Sequence, residues 1–315
     1  ISACLVGSEM CIRDRDDTIR AGKKRLLDAR NKRVRPSIDD KIITGWNGFM
    51  ISAFALAYQV LHEKRYLDAA TAATKFILTK LNKDDYLVRR YRDGEASVPG
   101  TLEDYAAFVA AVLDVYEASF DPQWLREALR LNDRMVELFW DEEDKGFFFN
   151  PLREIELPVS IKEAYDGPIP SGNSIAAENL LRLAALTGNE GLQTRAQEIF
   201  LTFHTLLEQN PLEHIYMLCA LDFYLSPPMQ IVLAAEKRED VQPFVAEISR
   251  HFLPNKVIVC SQSGVTELEV PALVPLIKDK VPLHGHPTVY ICENYTCKRP
   301  IIELEELRRV LSHRT

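Results

Sequence analysis

The sequence predicts a mainly α-helical chain built from repeated helical hairpins and followed by a small α/β domain. Two observations carry this. Three short motifs, Trp46-Asn47-Gly48, Leu102-Glu103-Asp104-Tyr105 and Pro170-Ser171-Gly172-Asn173, each open a run of small apolar residues. Each run breaks at a turn, Leu61-His62-Glu63-Lys64, Ser119-Phe120-Asp121-Pro122 or Leu186-Thr187-Gly188-Asn189, and a second run starts at Tyr66-Leu67, Trp124-Leu125 or Gly191-Leu192. The spacing from each motif to that leucine is roughly 20 residues, the signature of a repeated hairpin, and a ring of hairpins would gather the motifs around one cleft. The second observation is a change of period after Ser226-Pro227-Pro228, where short β-branched runs replace the long apolar helices.

Residues 1–15 are expected to lie outside the native protein. Ser8-Glu9-Met10-Cys11-Ile12-Arg13-Asp14-Arg15 reads as translated sequencing-adaptor read-through, and the apolar start lacks the charged region and cleavage pattern of a signal peptide. On that reading the chain is a fragment whose protein continues upstream. Asp17 to Arg33 has helical composition and stops before Arg35-Pro36, because a residue preceding proline is kept out of the α region. Ser37 to Lys41 is a polar loop. In the first hairpin Ile51, Phe54, Ala55 and Tyr58 recur at the spacing of a buried helix face. Ala53, Ala55 and Ala57 keep that helix slim, as packing on both sides requires. Tyr86 to Tyr91 reads as a strand before the turn pair Asp93-Gly94, and Phe147-Phe148-Phe149 reads as a strand in the same relative place. Leu152 to Pro168 is a long connection, and Leu206 to Leu225 opens a fourth hairpin without completing it. The hairpin domain is therefore placed at 16–226 and the α/β domain at 227–315. In the latter, Gln230 to Ala234, Lys256 to Cys260 and Thr288 to Cys292 are predicted strands, with helices over Val241 to Phe252 and Glu303 to Leu311. That alternation predicts a largely parallel sheet.

A net charge of -8 argues against general nucleic-acid binding, which needs a basic face, so Arg20 to Arg35 reads as a solvated helix face. No run approaches the roughly 20 apolar residues of a membrane span. Six cysteines without paired spacing suit a reducing, cytoplasmic setting, and Cys292 and Cys297 are expected in or beside a strand. No second Cys or His pair completes a zinc site, and no glycine-rich loop cradles a phosphate. Neither a metal nor a cofactor is expected.

The string Asp39-Asp40-Lys41-Ile42-Ile43-Thr44-Gly45-Trp46-Asn47-Gly48, with Leu102-Glu103-Asp104-Tyr105-Ala106, Pro170-Ser171-Gly172-Asn173-Ser174 and the terminal Tyr290-Ile291-Cys292-Glu293-Asn294-Tyr295-Thr296-Cys297, resembles the spermatogenesis-associated protein 20 family, also called YyaL-type thioredoxin-domain proteins. The resemblance covers residues 16 to 315 in order. It implies an N-terminal thioredoxin-like domain, absent here, followed by an (α/α)6 toroid, represented here by an incomplete one. That toroid is similar to those of N-acylglucosamine 2-epimerases and six-hairpin glycosidases. No Cys-x-x-Cys occurs in this sequence, so no redox activity carries over to it. The family implies no firm reaction, because function lives in sites and not in folds.

The candidate residues admit two readings each. Glu103 and Asp104 are adjacent carboxylates at a helix start, where they cap free N–H groups or, at graded pKa, run acid–base chemistry on a sugar. Asp166 sits in the polar loop Glu163-Ala164-Tyr165-Asp166-Gly167 and joins them as a catalytic candidate. Trp46, Tyr105 and Tyr165 suit stacking on a pyranose face or burial in a core. Asn47 and Asn173 either hydrogen-bond ligand hydroxyls or fix their own loops. Ser171 lacks the nucleophile-elbow pattern and suits a helix cap. Asp40, Lys41, Glu213 and His214 complete the substrate-binding candidates. Epimerases of this fold use two inward-facing histidines. His62 and His204 face the wrong way, leaving His214 beside Glu213. A sugar-like small molecule is the expected ligand, with the thioredoxin-like domain as a partner in cis. The alternative is a non-catalytic recognition module for that domain. A third reading makes the motifs purely structural caps.

Overall fold

The computed structural model describes residues 3–152, 160–226, 228–262, 273–293 and 296–312, with side chains from residue 15 onward. Part of the long connection, 153–159, and Pro227 of the boundary motif therefore lie outside the described residues. The chain divides into two compact units, Ile1–Asp40 and Lys41–Thr315. The first is a single helix, α1 (Ala3–Asn31), with a short tail. The segment set aside as adaptor-like has helical backbone from Ala3, continuous with the helix expected from Asp17.

The second unit begins with β1 (Ile42–Ile43) and then alternates helices: α2 (Thr44–Leu61), α3 (Lys64–Lys80), α4 (Leu102–Ser119), α5 (Pro122–Phe139), α6 (Gly172–Thr187), α7 (Glu190–Gln209) and α8 (Ile215–Leu225). Helices α2, α4, α6 and α8 pack side by side as an inner row, and α3, α5 and α7 each back the inner helix before them. This is an arc of an (α/α) toroid, three hairpins and the first helix of a fourth. Three of the four inner helices, α2, α4 and α6, end for a shared reason. Their C-caps His62, Phe120 and Gly188 adopt left-handed backbone, with φ of 57°, 54° and 70°, and each cap N–H returns to a carbonyl four residues back. Asp121 and Asn189 then cap the outer helices α5 and α7 through their side chains. Helix α4 is buried around most of its circumference because α2, α5 and α6 all touch it.

Two glycines set how closely the inner row packs. A Cβ on Gly48 would stand 2.7 Å from the Ala107 carbonyl oxygen of α4, and one on Gly172 would stand 2.6 Å from Leu102 Cγ. The helices cross where only a hydrogen fits. At the same level of α4, Asn179 Nδ2 donates to the Ala106 carbonyl at 2.8 Å, tying α6 to α4.

Between α3 and α4, β2 (Asn82–Lys83), β3 (Tyr86–Arg92) and β4 (Glu95–Pro99) form an antiparallel sheet with β1, all pairing with β3. The stretch Phe147-Phe148-Phe149 is not a strand. Only the bridge Trp140–Phe147 forms, because the Asn173 side chain takes both the N–H and the C=O of Phe147 and leaves no edge for a ladder.

After α8 come β5 (Met229–Ala235), α9 (Gln242–Ile248), β6 (Lys256–Gln262), β7 (Thr288–Glu293), β8 (Thr296–Cys297) and α10 (Leu304–Ser312). The sheet order is β6-β5-β7-β8, and only β5 and β6 are parallel. The expected largely parallel sheet is thus corrected to a mixed one. A parallel pair needs a crossover such as α9, whereas β7 and β8 are joined by a tight hairpin. Alternation along β5 places Val232 and Ala234 in the core shared with the helical arc, and Ile231, Leu233 and Ala235 in a second core under α9 and α10. Cys292 and Cys297 face each other across β7 and β8 and form a disulfide. That pairing corrects the reading of the cysteines as unpaired and removes their support for a reducing compartment. No described helix is long and apolar enough to cross a membrane.

Candidate functional site at the inner helix starts

Every inner helix begins at the same end of the row, and hydrogen bonds link the start of α2 to that of α4 and the start of α6 to that of α8. Asp104 is the hub between α2 and α4. Its Oδ1 accepts from the Gly45 N–H at 2.9 Å, and its Oδ2 accepts from the Thr101 N–H at 3.0 Å, the Thr101 hydroxyl at 3.1 Å and Arg89 Nη1 at 3.0 Å. Only 1% of Asp104 is exposed. The residue completes a capping box with Thr101 and clasps the neighbouring helix start.

The link from α6 to α8 repeats the device with another carboxylate. Asp166 Oδ1 accepts from the Ser171 N–H at 2.9 Å, and Oδ2 accepts from the N–H groups of Tyr216 and Met217 at 2.8 and 3.1 Å. Ser171 caps α6 and shares a bond with Ser174. Asn173 is fully buried and bonds Phe147 and the Glu163 carbonyl. The Tyr105 hydroxyl accepts from the Leu87 N–H inside the core. Asn47 donates to the Ile43 carbonyl. His214 is buried, with Nδ1 bonded to the Asn210 carbonyl, and the backbone carbonyl of exposed Glu213 receives the Asp166 N–H. These are fixing bonds of the kind that polar groups at helix starts form locally.

At the helix starts, Trp46, Tyr165 and Glu103 keep open faces. Trp46 is 63% and Tyr165 52% exposed. Glu103 is half-buried one residue from the Asp104 clasp, with Oε2 4.0 Å from Arg89 Nη1. Burial raises its pKa above the ordinary 4.5; Arg89 opposes that rise, and Asp104 and Glu163 reinforce it. Glu163, exposed in the loop before α6, is a neighbour the sequence reading did not single out. Lys41 is exposed at the start of this unit. Asp40 ends the other unit, where it is exposed.

The sequence reading missed a charged cluster midway along the row. On α4 and α6, Asp114, Glu117, Glu178 and Arg182 are the only charges beyond the first turn. That is a legible signal, since isolated charges in otherwise buried helices demand partners. Arg182 Nη2 lies 2.7 Å from Asp114 Oδ1 and 3.2 Å from Glu117 Oε1. Burial disfavours the Arg182 cation, but Asp114, Glu117 and Glu178 outweigh it and hold the proton firmly. Burial pushes the Glu117 carboxyl up, against the pull of Arg182 and Lys256. Among the described residues, no group of three His, Cys, Asp or Glu side chains is placed to hold a metal ion.

The fold defines the class: a toroidal array of helical hairpins carrying a small mixed-sheet domain. No family model matches the chain. Spermatogenesis-associated protein 20 of Homo sapiens is 32% identical over 305 residues, covering 93% of this chain and 39% of that protein. The Mus musculus protein of the same name is 30% identical over 305 residues, covering 93% and 38%. Over the part it spans, which is about two fifths of the length of these relatives, the chain is similar to spermatogenesis-associated protein 20. A family 76 glycoside hydrolase from a bovine Bacteroides thetaiotaomicron strain aligns with a TM-score of 0.49 at 16% identity, covering 61% of this chain and 44% of that one. Cellobiose 2-epimerase from Bacillus thermoamylovorans aligns at 0.45 and 17%, covering 84% and 68%.

Proposed function

We propose that the face formed by the inner helix starts binds a carbohydrate-like small molecule, with Glu103 as its acid–base group. The observation that supports this is the combination of one half-buried carboxyl of raised pKa with exposed aromatic rings, Trp46 and Tyr165, at one end of the row. A carboxyl whose pKa is raised holds its proton more readily for donation to a leaving oxygen, and an aromatic face packs against the apolar face of a pyranose. Glu163, whose charge Glu103 feels, supplies the second carboxylate that glycoside chemistry needs. Asp104 and Asp166 act here as positioning residues, because their oxygens are already bonded to backbone N–H groups.

A second reading is favoured by those same bonds. With Asp104, Asp166, Asn173 and Tyr105 committed to the scaffold, the face serves recognition without chemistry, presenting a ligand or partner to a thioredoxin-like domain in cis. Both readings are tested by incubating the protein with a panel of mono- and oligosaccharides while following turnover and heat of binding. Turnover abolished by Glu103→Gln supports the enzymatic reading; binding without turnover supports recognition. No binding at millimolar sugar would overturn the carbohydrate assignment.

A further inference from the structure

Among the described residues, α4 is the one neighbour of α2 in the inner row. The 18 residues of α2 carry no charge. Gly48, Ile51 and Ala55 are buried, Gly48 directly against α4. On the opposite flank Trp46, Met50, Ala53, Ala57 and Val60 follow one another at spacings of four, three, four and three residues, the heptad spacing of a seam that receives another helix. Met50, Val60 and the adjoining Leu61 are 53%, 49% and 54% exposed, and Ala53 is exposed between them.

This flank is not an ordinary solvent face. Helix α3, which backs α2, turns Lys64, Arg65, Asp68, Lys75 and Lys80 to water, as a surface helix does. Leu56 and Phe252, both exposed, line one cavity with Val60 and widen the apolar patch toward the sheet domain. The α2 side chains leave on the order of 500 Å² of apolar surface open, near the upper end for a monomer. Two such faces together remove on the order of 1,000 Å² from water, the size at which specific interfaces begin. Helix α8, at the other end of the row, has 11 residues with Asp222 exposed among them and offers no equivalent stripe.

We infer that this flank of α2 docks a second copy of the chain, the two α2 helices lying antiparallel about a two-fold axis level with Ala55. The stripe is complementary to itself in that register. Met50 meets the partner's Val60 and Ala53 meets the partner's Ala57, so each large side chain faces a smaller one and the alanine layers let the helices approach closely at the axis. A parallel pair would set Trp46 on Trp46 and Met50 on Met50, wedging one end apart. The antiparallel order also brings each helix N-terminus to the partner's C-terminus, where the dipoles attract. Beyond the stripe, Lys64–Asp68 and Arg65–Glu63 are ion pairs within one chain, so a neutral polar rim surrounds the apolar centre. Trp46 falls at the margin, opposite the partner's Lys64, which leaves its ring to the helix-start face.

The test is sedimentation velocity of the full chain at tens of micromolar, where a dimer is expected. Met50→Lys and Val60→Glu each put a charge into the stripe and should sediment as monomers. Both positions are exposed, so the circular dichroism of each variant should match wild type. Mixed together, the two variants should recover the dimer, because the antiparallel register sets the introduced lysine against the introduced glutamate. Ala69→Asp, at an exposed position of α3, is the control and should leave the dimer intact. A monomeric wild type, a dimer in either single variant, a mixture that stays monomeric, or wild-type association into larger species would each overturn the inference.

Discussion

Replacing Asp104 by asparagine separates the clasp reading of this residue from a chemical one. The carboxylate accepts from Gly45 through Oδ1 and from Thr101 and Arg89 through Oδ2. The amide will keep its oxygen where most donors converge and turn its NH2 toward the Gly45 N–H. One buried donor then faces another, a loss of roughly 1–3 kcal/mol. The Arg89 bond, no longer charge-assisted, loses about half its strength, on the order of 1 kcal/mol, because Arg89 is about one-third exposed. The sum is about 3 kcal/mol. For a unit of this size, roughly 2–3 °C accompany each kcal/mol, so the thermal midpoint should fall by about 6–9 °C. Circular dichroism at 222 nm follows it directly, with Glu103→Gln as the neighbouring control. A midpoint within about 2 °C of wild type would refute the reasoning and free Asp104 for chemistry.

Three further outcomes follow from the packing and charge. Gly48→Ala drives a methyl to 2.7 Å from the Ala107 carbonyl and should cost about 2 kcal/mol by forcing α2 off α4; an unchanged urea midpoint would contradict the close crossing. Glu103 has a raised pKa in the fold, so its stabilising protonated form is fully present below the ordinary value of 4.5 and its contribution is lost as pH rises through the folded value. Glu103→Gln should therefore gain on wild type between pH 4 and pH 8 in paired urea titrations, and a constant difference would argue against a perturbed carboxyl. Reducing the Cys292–Cys297 bond opens a short loop and should lower unfolding free energy by about 2 kcal/mol, read as a shift of the denaturation midpoint with dithiothreitol; no shift would mean the strand pairing alone holds the hairpin.

The hairpins were legible because the features that make them are local. A small-residue run and a left-handed cap recur at His62, Phe120 and Gly188, and an Asp or Asn opens the next helix after the last two. The sheet domain was legible only as strands. β-branched runs such as Gln230 to Ala234 and Thr288 to Cys292 look alike in sequence whichever way they pair, and direction depends on the connections. The disulfide depended on the same information, since the Cys292–Cys297 contact exists only in the β7–β8 register. Phe147 to Phe149 failed as a strand because Asn173, 26 residues away, claims the backbone groups a partner would use.

The candidate site shows a sharper division. The motifs that drew attention recur at equivalent helix starts, and a residue repeated at each start meets a need every start shares: free N–H groups that must be capped and a neighbouring helix that must be held. Asp104, Asp166, Ser171 and Asn173 answer that need bond by bond. Asp114, Glu117, Glu178 and Arg182 have no counterparts along α2, where the equivalent positions carry apolar or uncharged side chains such as Ser52, Leu56 and Gln59. A scaffold made of repeats has no reason to bury charge in only two of its units, since each buried carboxylate must be desolvated and partnered. Repetition therefore reports the demands of the hairpin, while departure from it, in the middle of α4 and α6, marks where this arc is built to meet something other than itself.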